Sequence, residues 1–102
     1  MSSILVVHEI STESEEIARA LEAEGFTVVR ASSPAEATRE IWGGSFLVAI
    51  ISTLLTGTTS AALQQQLVQM APEIETIIHG KNDELPALVR KVQQIRDGEA
   101  AA

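Results

Sequence analysis

Three short stretches of this chain gather side chains that could do chemistry: His8-Glu9, Ser52 with Thr56, and His79-Gly80-Lys81. A serine hydroxyl is a weak nucleophile until a base takes its proton, and His8 with Glu9 has the residue types of a base and its orienting partner. Glu9, His8 and His79 also offer oxygen and nitrogen ligands of the kind zinc accepts. Lys81 could neutralise Glu9 through a salt bridge. None of these patterns has the local sequence that usually accompanies it. No glycines flank Ser52 in the manner of a nucleophile elbow, and nothing nearby supplies an oxyanion hole. Neither catalysis nor a bound metal or cofactor is therefore expected, and the histidines read as solvated or hydrogen-bonded.

The elements that would position these residues are legible as apolar runs. Phe46-Leu47-Val48-Ala49-Ile50-Ile51 has no polar alternation, the pattern of a strand buried on both faces of a helix-covered parallel sheet, and polarity returns at Ser52. Ile4-Leu5-Val6-Val7 is a second such run, stopped by His8-Glu9. Phe26 to Ala31 alternates more and belongs nearer an edge, while Ile74 to Ile78 is a fourth candidate strand, stopped by His79-Gly80-Lys81. Ligands of open parallel sheets sit at the carboxyl ends of the strands, and all three polar stretches fall there.

Helical patterns separate the strands. Thr12-Glu13-Ser14-Glu15 has capping-box spacing, with Ile17, Ala18 and Leu21 as an apolar stripe and Gly25 as a stop on which Phe26 folds back. Ser33-Pro34-Ala35-Glu36 combines a cap, a first-turn proline and an acid, and predicts a helix to about Trp42, with Trp42 packed beneath it. Thr58-Thr59-Ser60 caps a third helix carrying Leu63, Leu67 and Met70 beside a solvated Gln64-Gln65-Gln66 face. Leu85, Leu88, Val89, Val92 and Ile95 mark a last helix that begins between Asn82 and Pro86. Residues 1–97 form the predicted domain and 98–102 a flexible tail or the start of a linker. Strand and helix alternate throughout, which calls for a parallel sheet with right-handed crossovers.

A chain of 102 residues holds one modest core and one site. Aromatics are only 3%, so Ile, Val, Leu and Ala must fill that core. Seven basic against fourteen acidic residues give a net charge of −7, a surface that repels phosphate backbones and anionic membranes, so no direct nucleic-acid or membrane contact is expected. The absence of cysteine removes disulfides and thiolate chemistry and suits a reducing cytoplasm.

Three stretches, Ile4 to Glu9, Glu22 to Ala37 and Phe46 to Gly57, together resemble the receiver domain of two-component response regulators. The likeness runs over roughly residues 3 to 72 and resumes in the last helix. It implies a flavodoxin-like α/β three-layer sandwich with about four strands in the order 2-1-3-4, one strand-helix unit shorter than a complete receiver. A receiver has an acidic pair after its first strand, where this chain has His8 and Glu9, and a phosphate-accepting aspartate after its third, where it has Ser52. Thr56 stands where a proline is usual before Gly57. The receiver's Thr or Ser after the fourth strand falls on His79 or Gly80, and its lysine on Lys81, which Asn82 rather than proline follows.

With one carboxylate in place of three, the resemblance implies a degenerate site that is not phosphorylated. The third strand would hold His8 and His79 about 10 Å apart, too far to share an ion. The function it implies is a pseudo-receiver, a protein-interaction module in bacterial signal transduction. Its partner would be a signalling protein, its own downstream domain in a longer regulator or kinase, or a second copy in a homodimer. A small-ligand or metal sensor built on the same pocket is the alternative.

Overall fold

The computed structural model describes residues 3–80 and 83–101, with side chains to residue 98. Four strands and four helices alternate: β1 (Ser3–Val7), α1 (Ser11–Glu22), β2 (Thr27–Ala31), α2 (Pro34–Gly43), β3 (Val48–Ser52), α3 (Ser60–Met70), β4 (Glu75–His79) and α4 (Leu85–Ala101). The strands form one parallel sheet in the order β2-β1-β3-β4, as the sequence pattern predicts. All five residues of β3 are buried, whereas β2 and β4 are half-exposed edge strands.

Alternation along the strands divides the core into two layers. Leu5 and Val7 of β1 face one side with Ala49 and Ile51 of β3, against Ala37 and Ile41 of α2 and Leu63 and Leu67 of α3. Ile4, Val6, Val48 and Ile50 face the other side, against Ile17 and Leu21 of α1 and Leu88 and Val92 of α4. Each fully buried Leu or Ile contributes about 1.5–3 kcal/mol of transfer free energy, and these branched aliphatics do the work that aromatics do elsewhere.

The local signals act mostly as expected. Gly25 takes a left-handed φ of +91°, and the Phe26 N–H reaches back 3.2 Å to the Leu21 carbonyl, so Phe26 turns into the core. The Ser33 hydroxyl accepts the Glu36 N–H, and the Thr59 hydroxyl accepts the Ala62 N–H, which caps α2 and α3. Pro86 lies in the first turn of α4. That helix continues through Gly98 to Ala101, so residues expected to be a tail prolong it.

Three expectations change. The capping box at Thr12 is not used: α1 begins at Ser11, and Ile10 precedes it without a side-chain cap. The Ile10 carbonyl accepts the Ser14 N–H, while Glu13 turns to His8 and Glu15 to Arg19. Trp42 is 83% exposed and does not pack beneath α2. Ala37 and Ile41, four apart, set the buried stripe, and the next residue along is rotated about 100° out of it. Gln64 is not simply solvated, because its amide donates to the Thr76 hydroxyl at 2.6 Å.

Candidate functional site

The carboxyl end of the sheet collects residues from three neighbouring strands. Val7 pairs with Ile51 and Ser52 pairs with His79, so His8, Ser52 and His79 follow one another across β1, β3 and β4. A pocket of about 160 Å³ opens above them, lined among others by Glu13 of α1, Leu54 after β3, and Gly80 and Asp83 before α4.

His8 is 6% exposed and spoken for on both nitrogens. Its Nδ1 accepts the Ile10 N–H at 3.0 Å, and its Nε2 lies 2.9 Å from a Glu13 carboxylate oxygen. An accepting Nδ1 leaves the ring proton of the neutral imidazole on Nε2, where Glu13 receives it. His8 thus has no free nitrogen with which to act as a base toward Ser52.

Ser52 is 3% exposed, and its hydroxyl accepts the Leu54 N–H at 3.0 Å, folding the strand end into a short turn. Glu9 does not join His8 and Ser52. Its carboxylate accepts both the backbone N–H and the hydroxyl of Thr56, the latter at 2.7 Å. These two bonds, the backbone one foremost, hold the Glu9 carboxyl below its ordinary range.

His79 is half-buried, and burial above all lowers its pKa. The positive charge of Lys91 and the neighbouring His8 ring add to that, while Asp83 and Glu13 work against it. The Asp83 carboxylate accepts the Gly80 N–H at 2.7 Å and braces the turn after β4. Lys81 and Asn82 lie outside the described residues, and with them the salt bridge expected between Lys81 and Glu9 and the proposed helix start at Asn82. Among the described residues no group of three or more His, Asp or Glu could hold a metal ion.

Of the residues singled out by type, His8, Ser52, His79 and Gly80 share the pocket, while Glu9 and Thr56 form a separate clasp and do not line it. Glu13 and Asp83 were missed. In the sequence Glu13 has the position of a capping acid, and Asp83 lies on the approach to a helix. The signal for Asp83 was present in the Gly80-x-x-Asp83 spacing, in which a carboxylate can receive a backbone N–H three residues before it.

An open, wholly parallel sheet with helices on both faces and its polar residues at the carboxyl ends of the central strands defines a flavodoxin-like α/β protein. Within that class the chain has the fold of response regulator receiver domains. A CheY-like receiver domain from Methanospirillum hungatei JF-1 superposes with a TM-score of 0.88 at 16% identity, covering 100% of this chain and 99% of that one. A receiver domain from Clostridium thermocellum gives 0.88 at 18% identity, covering 99% and 98%. A Burkholderia pseudomallei response regulator bearing a phosphorylated aspartic acid and a calcium ion gives 0.79 at 15% identity, covering 99% of this chain and 74% of that one. No family profile and no curated protein matches the sequence. No helix among the described residues is long and apolar enough to cross a membrane.

Proposed function

We propose that the chain is a pseudo-receiver, a regulatory module of two-component signalling that works in the cytoplasm through protein contacts and without phosphorylation. The observation that carries this reading is Ser52. A hydroxyl occupies the carboxyl end of the central strand, the position at which the receiver pattern has its phosphate-accepting aspartate. Phosphoryl transfer to a carboxylate needs that acceptor, a magnesium ion held by acidic oxygens, and donors for the transferred group. Ser52 would give a stable ester in place of a labile acyl phosphate. Glu9, the surviving member of the acidic pair, is engaged by Thr56.

The scaffold supports a regulatory role in one fixed conformation. His8 is locked to Glu13 and Ile10, Glu9 to Thr56, and Gly80 to Asp83, so each loop around the degenerate position is tied by its own bond. The pocket, at about 160 Å³, has room for about five waters at ~30 Å³ each and lies below the ~300 Å³ from which organic-ligand sites begin. A sensor of ordinary metabolites is correspondingly disfavoured.

The test is an amide chemical-shift titration with magnesium and beryllofluoride, a mimic of the bound phosphoryl group. The expected spectrum is unchanged at Glu9, Ser52 and Thr56. Saturable shifts clustered on those residues would restore a phosphoryl switch and overturn the reading.

A further inference from the structure

Strand β4 ends the sheet, and among the described residues nothing pairs with its outer side. The Glu75 N–H donates to the Leu47 carbonyl and the His79 carbonyl accepts the Thr53 N–H, both toward β3. Alternation in a parallel ladder therefore turns the backbone groups of Glu75, Ile77 and His79 inward and those of Thr76 and Ile78 outward. The outward row is bounded at each end. The Ile74 N–H is taken by the Ala71 carbonyl, and the Gly80 N–H by the Asp83 carboxylate. Ile78 is also among the few large apolar residues left exposed, at 37%.

These limits leave one antiparallel self-pairing that uses only free groups. Centred on Thr76 it would need the Ile74 N–H, and centred on Ile78 it would need the Gly80 N–H; centred on Ile77 it needs neither. We propose that β4 pairs antiparallel with β4 of a second copy, in the register that sets Ile77 against itself, Thr76 against Ile78 and Glu75 against His79. Every outward N–H then meets an outward C=O across the two-fold axis. Residues opposite one another interact most strongly when their side chains are complementary, and here the carboxylate of each Glu75 faces an imidazole. Lys91 of α4 lines the same groove as Ile77, Ile78 and His79 and adds a cation on that face.

The other edge lacks this complementarity. The His8 N–H donates to the Ala31 carbonyl, so β2 turns Val28 and Arg30 outward. Self-pairing there would bring the two Arg30 side chains onto one face in diagonal positions, where like charges repel. Arg30 is moreover drawn onto α1, donating to the Ser14 hydroxyl at 3.0 Å.

This pairing deepens the reading of the chain as a protein-contact module by naming a second copy as its partner, and it does not depend on what Ser52 does. A short edge strand makes a small interface, so the dimer forms in a concentration-dependent equilibrium. Sedimentation of the whole chain over a concentration series should show it passing from monomer to dimer. Amide exchange at Thr76 and Ile78 should slow over the same range while Val28 and Arg30 stay fast. Ile78→Pro deletes an outward donor at a position where an edge strand tolerates proline, and should abolish the dimer while preserving the monomer's circular dichroism. Should that variant fail to fold, Glu75→Lys on the exposed face removes the carboxylate that faces His79 and sets a like charge against Lys91, and should raise the dissociation constant at least tenfold. A chain that stays monomeric throughout, or a folded Ile78→Pro variant that dimerises like the parent, would overturn the proposal. Neither result bears on the beryllofluoride titration, so the two proposals fail separately.

Discussion

The carboxylate of Glu9 clasps Thr56 through both its backbone N–H and its hydroxyl, joining the end of β1 to the loop after β3 across 47 positions of sequence. The clasp lowers the Glu9 pKa, so the folded chain holds its proton less tightly than the unfolded chain does. The contribution to stability is complete above the ordinary carboxylate value of about 4.5 and is lost as pH falls from there through the lowered folded value. Glu36, bonded by the Ser32 N–H and hydroxyl, loses its contribution over the same window. Thr56→Val removes only the hydroxyl bond, so the pKa of Glu9 should rise part of the way toward its ordinary value while that of Glu36 stays put. Carboxyl carbon shifts followed against pH separate the two.

His79 acts at higher pH. Burial disfavours its imidazolium, so the unfolded chain binds a proton more readily than the folded one. Stability should be complete above the ordinary histidine value of about 6.5 and decline as pH falls from there through the lowered folded value. Urea midpoints at pH 7.5 and pH 5.5 check this. The parent should lose stability over that interval, and His79→Gln, which cannot titrate, should lose less.

Trp42 and Leu67 make opposite predictions from neighbouring helices. Trp42 is 83% exposed, so its fluorescence should be that of a hydrated indole and readily quenched by acrylamide; Trp42→Ala should change stability by no more than about 0.5 kcal/mol. Leu67, fully buried between α3 and the sheet, should cost about 2–5 kcal/mol when cut to alanine. A blue-shifted, unquenchable Trp42 would place that side chain in the core.

These contrasts mark where the sequence was readable. The runs Ile4 to Val7 and Phe46 to Ile51 read as strands buried on both faces, because no polar residue interrupts them and turn signals bound them, although β3 itself starts at Val48; Gly25, Ser33 and Thr59 act through contacts within a few residues. Their information is local. The partners of Glu9, His8 and Arg30 are chosen by how helices settle on the sheet. Thr12-Glu13-Ser14-Glu15 satisfied the capping pattern, yet the buried His8 ring drew Glu13 away and α1 started at Ser11. Residue type alone points Trp42 to the core, whereas its angle on α2 beside Ile41 turns it to solvent.

Restoring the acceptor at position 52 is the sharpest trial of the degenerate site. Ser52→Asp should leave the chain unlabelled by a small phosphodonor such as acetyl phosphate, because an acceptor alone supplies neither the magnesium ion nor its ligands. The carboxylate at position 52 could still accept the Leu54 N–H that the Ser52 hydroxyl now accepts, yet it would enter a 3%-exposed position in a pocket already lined by Glu13 and Asp83. Burial of that charge should cost more than the roughly 1–3 kcal/mol of an unsatisfied neutral polar group. Magnesium binding would further require Glu9 to leave Thr56, giving up two hydrogen bonds to gain one metal contact. Adding Thr56→Ala frees the hydroxyl half of the clasp but not the backbone half, so the double variant should also remain unlabelled. Labelling of Ser52→Asp alone would mean that the clasp opens readily, and the fixed conformation proposed for this end of the sheet would have to be given up.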